Sequence, residues 1–264
     1  MTKVIAISNP KGGVGKTTTA INLAASLAIA EQRVLIIDAD PAGAVAAGLG
    51  LLPATIRGGI FEIFSGSARL SEIIHPAGYL DVDLIPANIF SSQQEIRIWE
   101  MAKNRIRLKN FLSGYLYSGK LPYDYILIDT PPSLSDLTIG ALLAADSVLI
   151  PLQCGYYALN SIGQLLEMIE RIRKSANPEL RVERIFLTFF EKGTRASHIS
   201  EQSARRDFLH LLSGAVIPKN AAIGYAAFEH KPVALVDIAA PGAQAYFELA
   251  KEIINNQRAP FPVG

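Results

Sequence analysis

Ten residues near the N-terminus, NPKGGVGKTT from Asn9 to Thr18, concentrate the side chains and gaps that phosphate binding needs. Gly12, Gly13 and Gly15 leave backbone N–H groups free to converge on phosphate oxygens. A helix starting just beyond them adds the partial positive charge of its N-terminus. In such a loop the spacing assigns Lys16 to the β- and γ-phosphates of a nucleotide and the Thr17 hydroxyl to Mg2+. The expected cradle is Gly12, Gly13, Val14, Gly15, Lys16, Thr17 and Thr18. The ordinary G-x-x-x-x-G-K-[ST] pattern is not met in full, because Pro10 stands where its first glycine belongs. Lys11 is surplus to this chemistry. One lysine serves one nucleotide, and a second placed earlier in the loop lies across it and need not point into the same site. A glycine-rich turn with two exposed lysines is the plain alternative. The apolar run before the loop, the helical pattern after it and the sequence G-K-T-T together disfavour it.

Two further segments place carboxylates where such a site needs them. IIDADPAG (Ile36–Gly43) sets Asp38 and Asp40 just past a buried apolar run, and YILID (Tyr125–Asp129) ends in Asp129. Carboxylates beside Mg2+ and a γ-phosphate can order a water for in-line attack. Asp129 stands where a strand-end carboxylate holds Mg2+ through water, and Thr130-Pro131-Pro132 then forces an extended turn. The competing assignment for Asp38 and Asp40 is plain capping of a strand end.

These residues must be positioned by alternating strands and helices. Lys3–Ser8, Arg33–Asp38, Asp81–Pro86, Tyr125–Asp129, Ser147–Leu152, Arg184–Phe190, Ala215–Ile217 and Val233–Val236 read as strands. Helical patterns cover Thr17–Ala30, parts of Gly58–Ile74, Ser92–Tyr115 as one long basic helix, Leu134–Ala144, Leu159–Lys174, Ser197–Leu212 and Gly242–Asn255. Continuous apolar strands between helices imply an α/β fold, a mostly parallel twisted sheet with helices on both faces. Ligands of such sheets bind at the carboxyl ends of the strands, where Ser8, Asp38, Asp129 and Gln153 fall.

Composition narrows the function classes. The chain has 264 residues, half of them apolar and 19% charged, which suits one large domain over residues 1–264. A formal net charge of +1 provides no global field toward nucleic acid or acidic lipid, so such binding needs local patches. A strand pattern at the N-terminus leaves no visible signal peptide. Cys154, the single cysteine, cannot form an internal disulfide, and both features fit a cytoplasmic location. No apolar run reaches the ~18–20 residues that span a bilayer.

KGGVGKTT resembles the deviant Walker A motif of the ParA/MinD group of ATPases. IIDADPAG is similar to the D-x-D-P-Q-G-N switch of that group, and IDTPPS to its D-x-P-P switch. Leu137–Leu159, Val216–Asn220 and Lys231–Ile253 resemble ParA partition proteins, so the likeness runs nearly end to end, weakest over Leu51–Gly119. The resemblance implies a P-loop NTPase-like fold, ATP and Mg2+ as cofactors, and weak ATP hydrolysis stimulated by a partner. It implies a homodimer with two ATP molecules sandwiched between the subunits, in which Lys11 reaches the partner's nucleotide. The implied catalytic set is Lys11, Lys16 and Asp40, with Asp40 orienting the water. Asp38 joins Thr17 and Asp129 around the metal, and Pro218 lies in a loop against the adenine. Ala42 and Ala44 depart from the Gln and Asn of the switch, Ala222 from a frequent Arg, and Tyr225 and Ala227 from a Glu and a Pro.

The family offers several outputs. Non-specific DNA binding in the ATP form, with a ParB-like centromere-binding partner and nucleoid association, is the leading expectation. Its candidate contacts are Lys192, Arg195, Arg205 and Arg206, and also Arg97, Lys103, Arg105, Arg107 and Lys109 on the long helix. The alternative is a MinD-like or other ParA-like ATPase positioning a membrane-associated or protein cargo. Membrane binding calls for a basic amphipathic tail, whereas the C-terminal pattern balances its charges and Pro260 and Pro262 break any extension. A shared iron–sulfur cluster needs two cysteines per subunit of a dimer, which one cysteine does not supply.

Overall fold

Alternation along each strand divides the chain's apolar residues between two cores. Val4, Ala6, Leu35, Ile37, Ile126, Ile128, Val148 and Ile150 point to one face, and Ile5, Ile7, Val34, Ile36, Tyr125, Leu127 and Leu149 to the other. Both sets are buried, which is why these strands read as continuous apolar runs. The computed structural model describes residues 2–155 and 158–258, so the Pro260–Pro262 tail lies outside the described residues.

The strands are β1 (Lys3–Ile7), β2 (Val34–Asp38), β3 (His75–Pro76), β4 (Val82–Ile85), β5 (Tyr125–Asp129), β6 (Ser147–Gln153) and β7 (Arg181–Thr188). They form one sheet in the order β3-β4-β2-β5-β1-β6-β7, parallel throughout except for the short antiparallel edge strand β3. On the first face lie α3 (Ile60–Ser65), α4 (Leu70–Ile73), α5 (Ser92–Met101), α6 (Arg107–Tyr117), α7 (Asp136–Ala144), α8 (Ala158–Ser175) and α9 (Arg195–Phe208). The second face carries α1 (Lys16–Ile29), α2 (Ala44–Gly48), α10 (Ala221–Phe228), α11 (Val233–Val236) and α12 (Pro241–Arg258). The α/β expectation, with helices on both faces, is met.

Four local expectations are corrected. Ser92–Tyr115 is two helices, α5 and α6. At the break the Arg105 carbonyl comes so close to α7 that a Cβ on Gly140 would sit 3.2 Å from it. Val233–Val236 is a helical turn rather than a strand. It starts after Pro232, and its first N–H is taken by Asn22 of α1 at 2.7 Å. Ala215–Ile217 runs beside β7 through single bonds, such as Ile217 N–H to Leu187 O at 2.8 Å, without becoming a ladder strand. Strand β7 also begins earlier than Arg184 and ends before Phe189, whose φ of 53° turns the chain out of the sheet.

Candidate functional site

The glycine loop is held from both sides. Asn9 donates through Nδ2 to Pro151 O (2.8 Å) at the end of β6, and its Oδ1 accepts the Lys11 N–H (2.9 Å). The Thr188 hydroxyl at the end of β7 donates to Val14 O (3.0 Å). Gly13 and Gly15 have φ of 72° and 93°, the left-handed region that residues with a Cβ rarely adopt, so the turn into α1 depends on glycine. Gly15 precedes α1, whose first residues are Lys16, Thr17 and Thr18, so the helix N-terminus faces the loop as expected.

The two lysines separate. Lys16 is buried and its ammonium folds back across the loop to Lys11 O at 3.3 Å. Burial lowers its pKa, while Asp129 and Asp40 nearby pull it the other way. The Lys11 backbone is fixed at both its N–H and its carbonyl, yet its half-buried side chain has no hydrogen bond or ion pair among the described residues.

The parallel register of β2 and β5 sets Asp38 directly beside Asp129. Asp129 Oδ2 accepts the Thr17 hydroxyl at 2.6 Å, and its Oδ1 is buried without a hydrogen-bond partner among the described residues. Asp38 spends both oxygens on backbone: Oδ1 accepts Asp40 N–H (3.2 Å) and Oδ2 accepts Val45 N–H (3.1 Å) in the first turn of α2. Asp38 therefore organises the segment that carries Asp40, a role closer to the capping alternative than to metal contact. Asp40 is half-buried and accepts the Ala42 N–H at 3.0 Å. Burial pushes the carboxyls of Asp38 and Asp129 up, and their mutual repulsion pushes Asp38 further. An orphaned, buried carboxylate oxygen next to a threonine hydroxyl is a donor set that suits a hydrated divalent cation.

Beside the loop lies a cavity of about 370 Å3, lined by Thr17 and Thr18 on one side and Ile217, Pro218, Asn220 and Ile223 on the other. Pro218, expected against the adenine, is one of the residues that line this cavity. Phe189, Lys231 and Tyr246 also line the cavity and were not singled out by sequence. Tyr246 reads as a core aromatic in a helical pattern, and the turn at Phe189 depends on a backbone conformation that no residue type announces.

The basic candidates divide by their partners. Lys192 and Arg195 are exposed with no ion pair among the described residues. Arg205 and Arg206 are exposed but paired, with Glu201 at 2.8 Å and Asp207 at 2.7 Å. On α5 and α6 most of the charges serve packing: Arg97 stacks over Phe61, Arg105 pairs with Asp136, Arg107 donates to Phe64 O and Lys109 to Ala176 O. Cys154 is half-buried, and burial raises its thiol pKa to about 11.

A glycine-loop turn from β1 into α1, with carboxylates at the ends of β2 and β5, defines an α/β protein of the P-loop nucleotide-binding class. The family described as AAA domain matches residues 2–182. The chain is 41% identical to the chromosome partitioning protein ParA of Caulobacter vibrioides, covering 97% of this chain and 95% of the relative. It is 40% identical to the sporulation initiation inhibitor protein Soj of Bacillus subtilis, covering 97% of this chain and 100% of that one. Among solved structures, cobyrinic acid a,c-diamide synthase from Mycobacterium smegmatis with bound ATP analog and magnesium superposes with a TM-score of 0.82. Identity there is 28%, over 98% of this chain and 96% of that chain. The cell division ATPase MinD of Pyrococcus furiosus shares the fold, with a TM-score of 0.78 at 22% identity over 97% and 100% of the two chains. The chain belongs to the ParA/Soj family of P-loop ATPases. No helix among the described residues is long and apolar enough to cross a membrane.

Proposed function

We propose that this chain is a partition-type ATPase, a single domain that dimerises around ATP and binds DNA non-specifically in that state. The observation that carries the reading is the divergence of the two loop lysines: Lys16 is drawn into its own site, and Lys11 is anchored by its backbone with its side chain uncommitted. Lys16 and the amides of Gly12–Thr18 bind the phosphates of the subunit's own nucleotide. Thr17 and Asp129 would hold Mg2+, and Asp38 would support them by fixing the backbone around the site. Bound Mg2+ supplies charge neutralisation on the phosphates. Asp40 orients the attacking water, and intrinsic turnover is weak because no strong base stands beside it. Pro218 and Ile223 hold the adenine. Lys192, Arg195, Arg205 and Arg206 contact DNA phosphates, and a ParB-like partner stimulates hydrolysis and releases the dimer from the nucleoid.

Lys11 acts when two copies face each other, where its charge offsets repulsion between the triphosphates. Such a desolvated contact is worth on the order of 2–5 kcal/mol, or tens to thousands of fold in the dimer constant. Sedimentation of Lys11→Ala with ATP and Mg2+ tests this. The expected result is a monomer that still binds ATP, and a variant that dimerises normally overturns the sandwich reading.

A further inference from the structure

The turn between α10 and α11 touches both halves of the proposed site. On one side, Val233 N–H donates to Asn22 Oδ1 at 2.7 Å, and Asn22 Nδ2 in turn donates to Thr18 O at 2.8 Å within α1. The neighbouring Lys231 lines the nucleotide-sized cavity. On the other side, His230 Nδ1 lies 2.7 Å from Ala47 O in α2, the helix that follows Asp40. Ala47 offers only a carbonyl, so the ring must donate, with its proton on Nδ1.

The backbone at His230 is adapted to this reach. Its φ is 53°, a region where side chains other than glycine are uncommon. A Cβ on Gly50 would sit 3.6 Å from the His230 Cβ and carbonyl oxygen, so the chain just past α2 runs close beside the turn.

Helix α2 has five residues, too few to hold its shape without outside contacts. Val45 and Ala46 bury one face of it. Its N-terminal end is fixed by Asp38, which accepts from both Asp40 and Val45. Its C-terminal end is fixed by His230. The chain from Asp38 to Ala47 is thereby clamped at both ends, with Asp40 between the clamps.

We infer that His230 is a positioning residue for hydrolysis: its bond to Ala47 holds α2, and through it the Asp40 segment, in register with the nucleotide cavity. This rests on the assignment of Asp40 as the residue that orients water. His230 touches no reacting atom itself, so its loss should slow the chemical step without changing the affinity for ATP.

The substitution that removes the bond is His230→Gly, because glycine keeps the positive φ at no steric cost while it deletes the ring, at the expense of some added backbone freedom. Steady-state hydrolysis with Mg-ATP should show kcat reduced by about two- to tenfold, the range one solvent-facing hydrogen bond supports, with KM unchanged. Hydrogen exchange of the Ala44–Leu49 amides should quicken in the same variant without nucleotide, while exchange in β1 and β5 stays as it was. An unchanged kcat overturns the inference, and so does a rise in KM that matches the fall in kcat/KM. A variant that unfolds more easily leaves the local exchange at α2 as the deciding measurement, and unaltered protection there also overturns it. Asp40→Ala run in parallel keeps the two claims apart. Normal turnover in Asp40→Ala removes the premise, whereas lost turnover there with normal kcat in His230→Gly removes only the role of His230.

Discussion

Asp129→Asn should stabilise the protein without nucleotide and abolish its response to Mg-ATP. Asp129 is buried beside Asp38, accepts one hydrogen bond from Thr17, and leaves Oδ1 without a partner among the described residues. Burial pushes its carboxyl up to about 7, so in the folded protein the proton is held more tightly than in the unfolded chain. Below about pH 4 the carboxyl is protonated in both states and costs nothing. As pH rises from there through 7, the unfolded chain ionises freely and the folded one resists, so stability falls across that window and the full cost is present above it. The rise corresponds to about 4 kcal/mol as an upper limit, and relaxation around the charge reduces this to about 2 kcal/mol in practice. An asparagine keeps an acceptor for the Thr17 hydroxyl and removes the charge. The gain at pH 7.5 should be about 4–8 °C in Tm for a domain of this size, and it should vanish near pH 4.

The assay is thermal unfolding by circular dichroism across that pH range, with and without a non-hydrolysable ATP analogue and Mg2+. The unmodified protein should gain stability with the ligand in proportion to RT ln(1 + [L]/Kd). The variant should gain far less, because Mg2+ no longer finds its carboxylate. A variant that is less stable without ligand at pH 7.5, or one that keeps the full ligand response, refutes the assignment of Asp129 to the metal side of the site.

Lys16→Ala should remove detectable binding of a non-hydrolysable ATP analogue by calorimetry, since it deletes the charge placed at the head of α1; unchanged affinity would remove the phosphate-loop assignment. DNA retention should require ATP and fall steeply between ~50 and ~200 mM salt, as counterion release demands. Lys192→Glu with Arg195→Glu should weaken it more than Arg205→Glu with Arg206→Glu, because the latter pair already answers to Glu201 and Asp207. Equal binding by apo, ADP and ATP forms in a filter assay would point away from a nucleotide-gated switch.

The parts of the site that could be read from sequence are those built from residues close together in the chain. The loop from Asn9 to Thr18 closes on itself, and Gly13 and Gly15 sit where the backbone turns left-handed. Asp38 and Asp129 were legible for a related reason: each ends a wholly apolar strand, and parallel strands of equal length bring such ends level. The cavity wall was legible at Gly15, Thr17, Thr18 and Pro218 but not at Phe189, Lys231 and Tyr246, which come from three distant segments. The run Val233–Val236 misled because a four-residue apolar stretch fits a strand or a helical turn equally well. Pro232 before it and Asn22 across from it settle the choice in the folded chain. The break between α5 and α6 was missed, and it lies where the Arg105 carbonyl approaches Gly140, a neighbour distant in sequence.

Asp38 shows how one position can satisfy two sequence expectations at once. Read as a ligand, it belongs with Thr17 and Asp129; read as a cap, it belongs with the segment after β2. The distances favour the second role directly, since both oxygens are taken by backbone N–H groups. The first role then follows from the second. A fully buried carboxylate beside another is costly, and a well-packed apolar residue at Asp38 would relieve that cost. It would also release Asp40 and the start of α2, and it would take negative charge away from the proposed Mg2+ site. The destabilising charge and the ordered switch segment therefore meet at one residue: burial and Asp129 push the Asp38 carboxyl up, while its bonds from Asp40 and Val45 favour the charged form and fix the segment. A cation beside Asp129 removes the repulsion that Asp38 feels while leaving its bonds to Asp40 and Val45 in place. On this account nucleotide with Mg2+ does not need to move Asp38 to influence Asp40; it needs only to relieve the repulsion between Asp38 and Asp129.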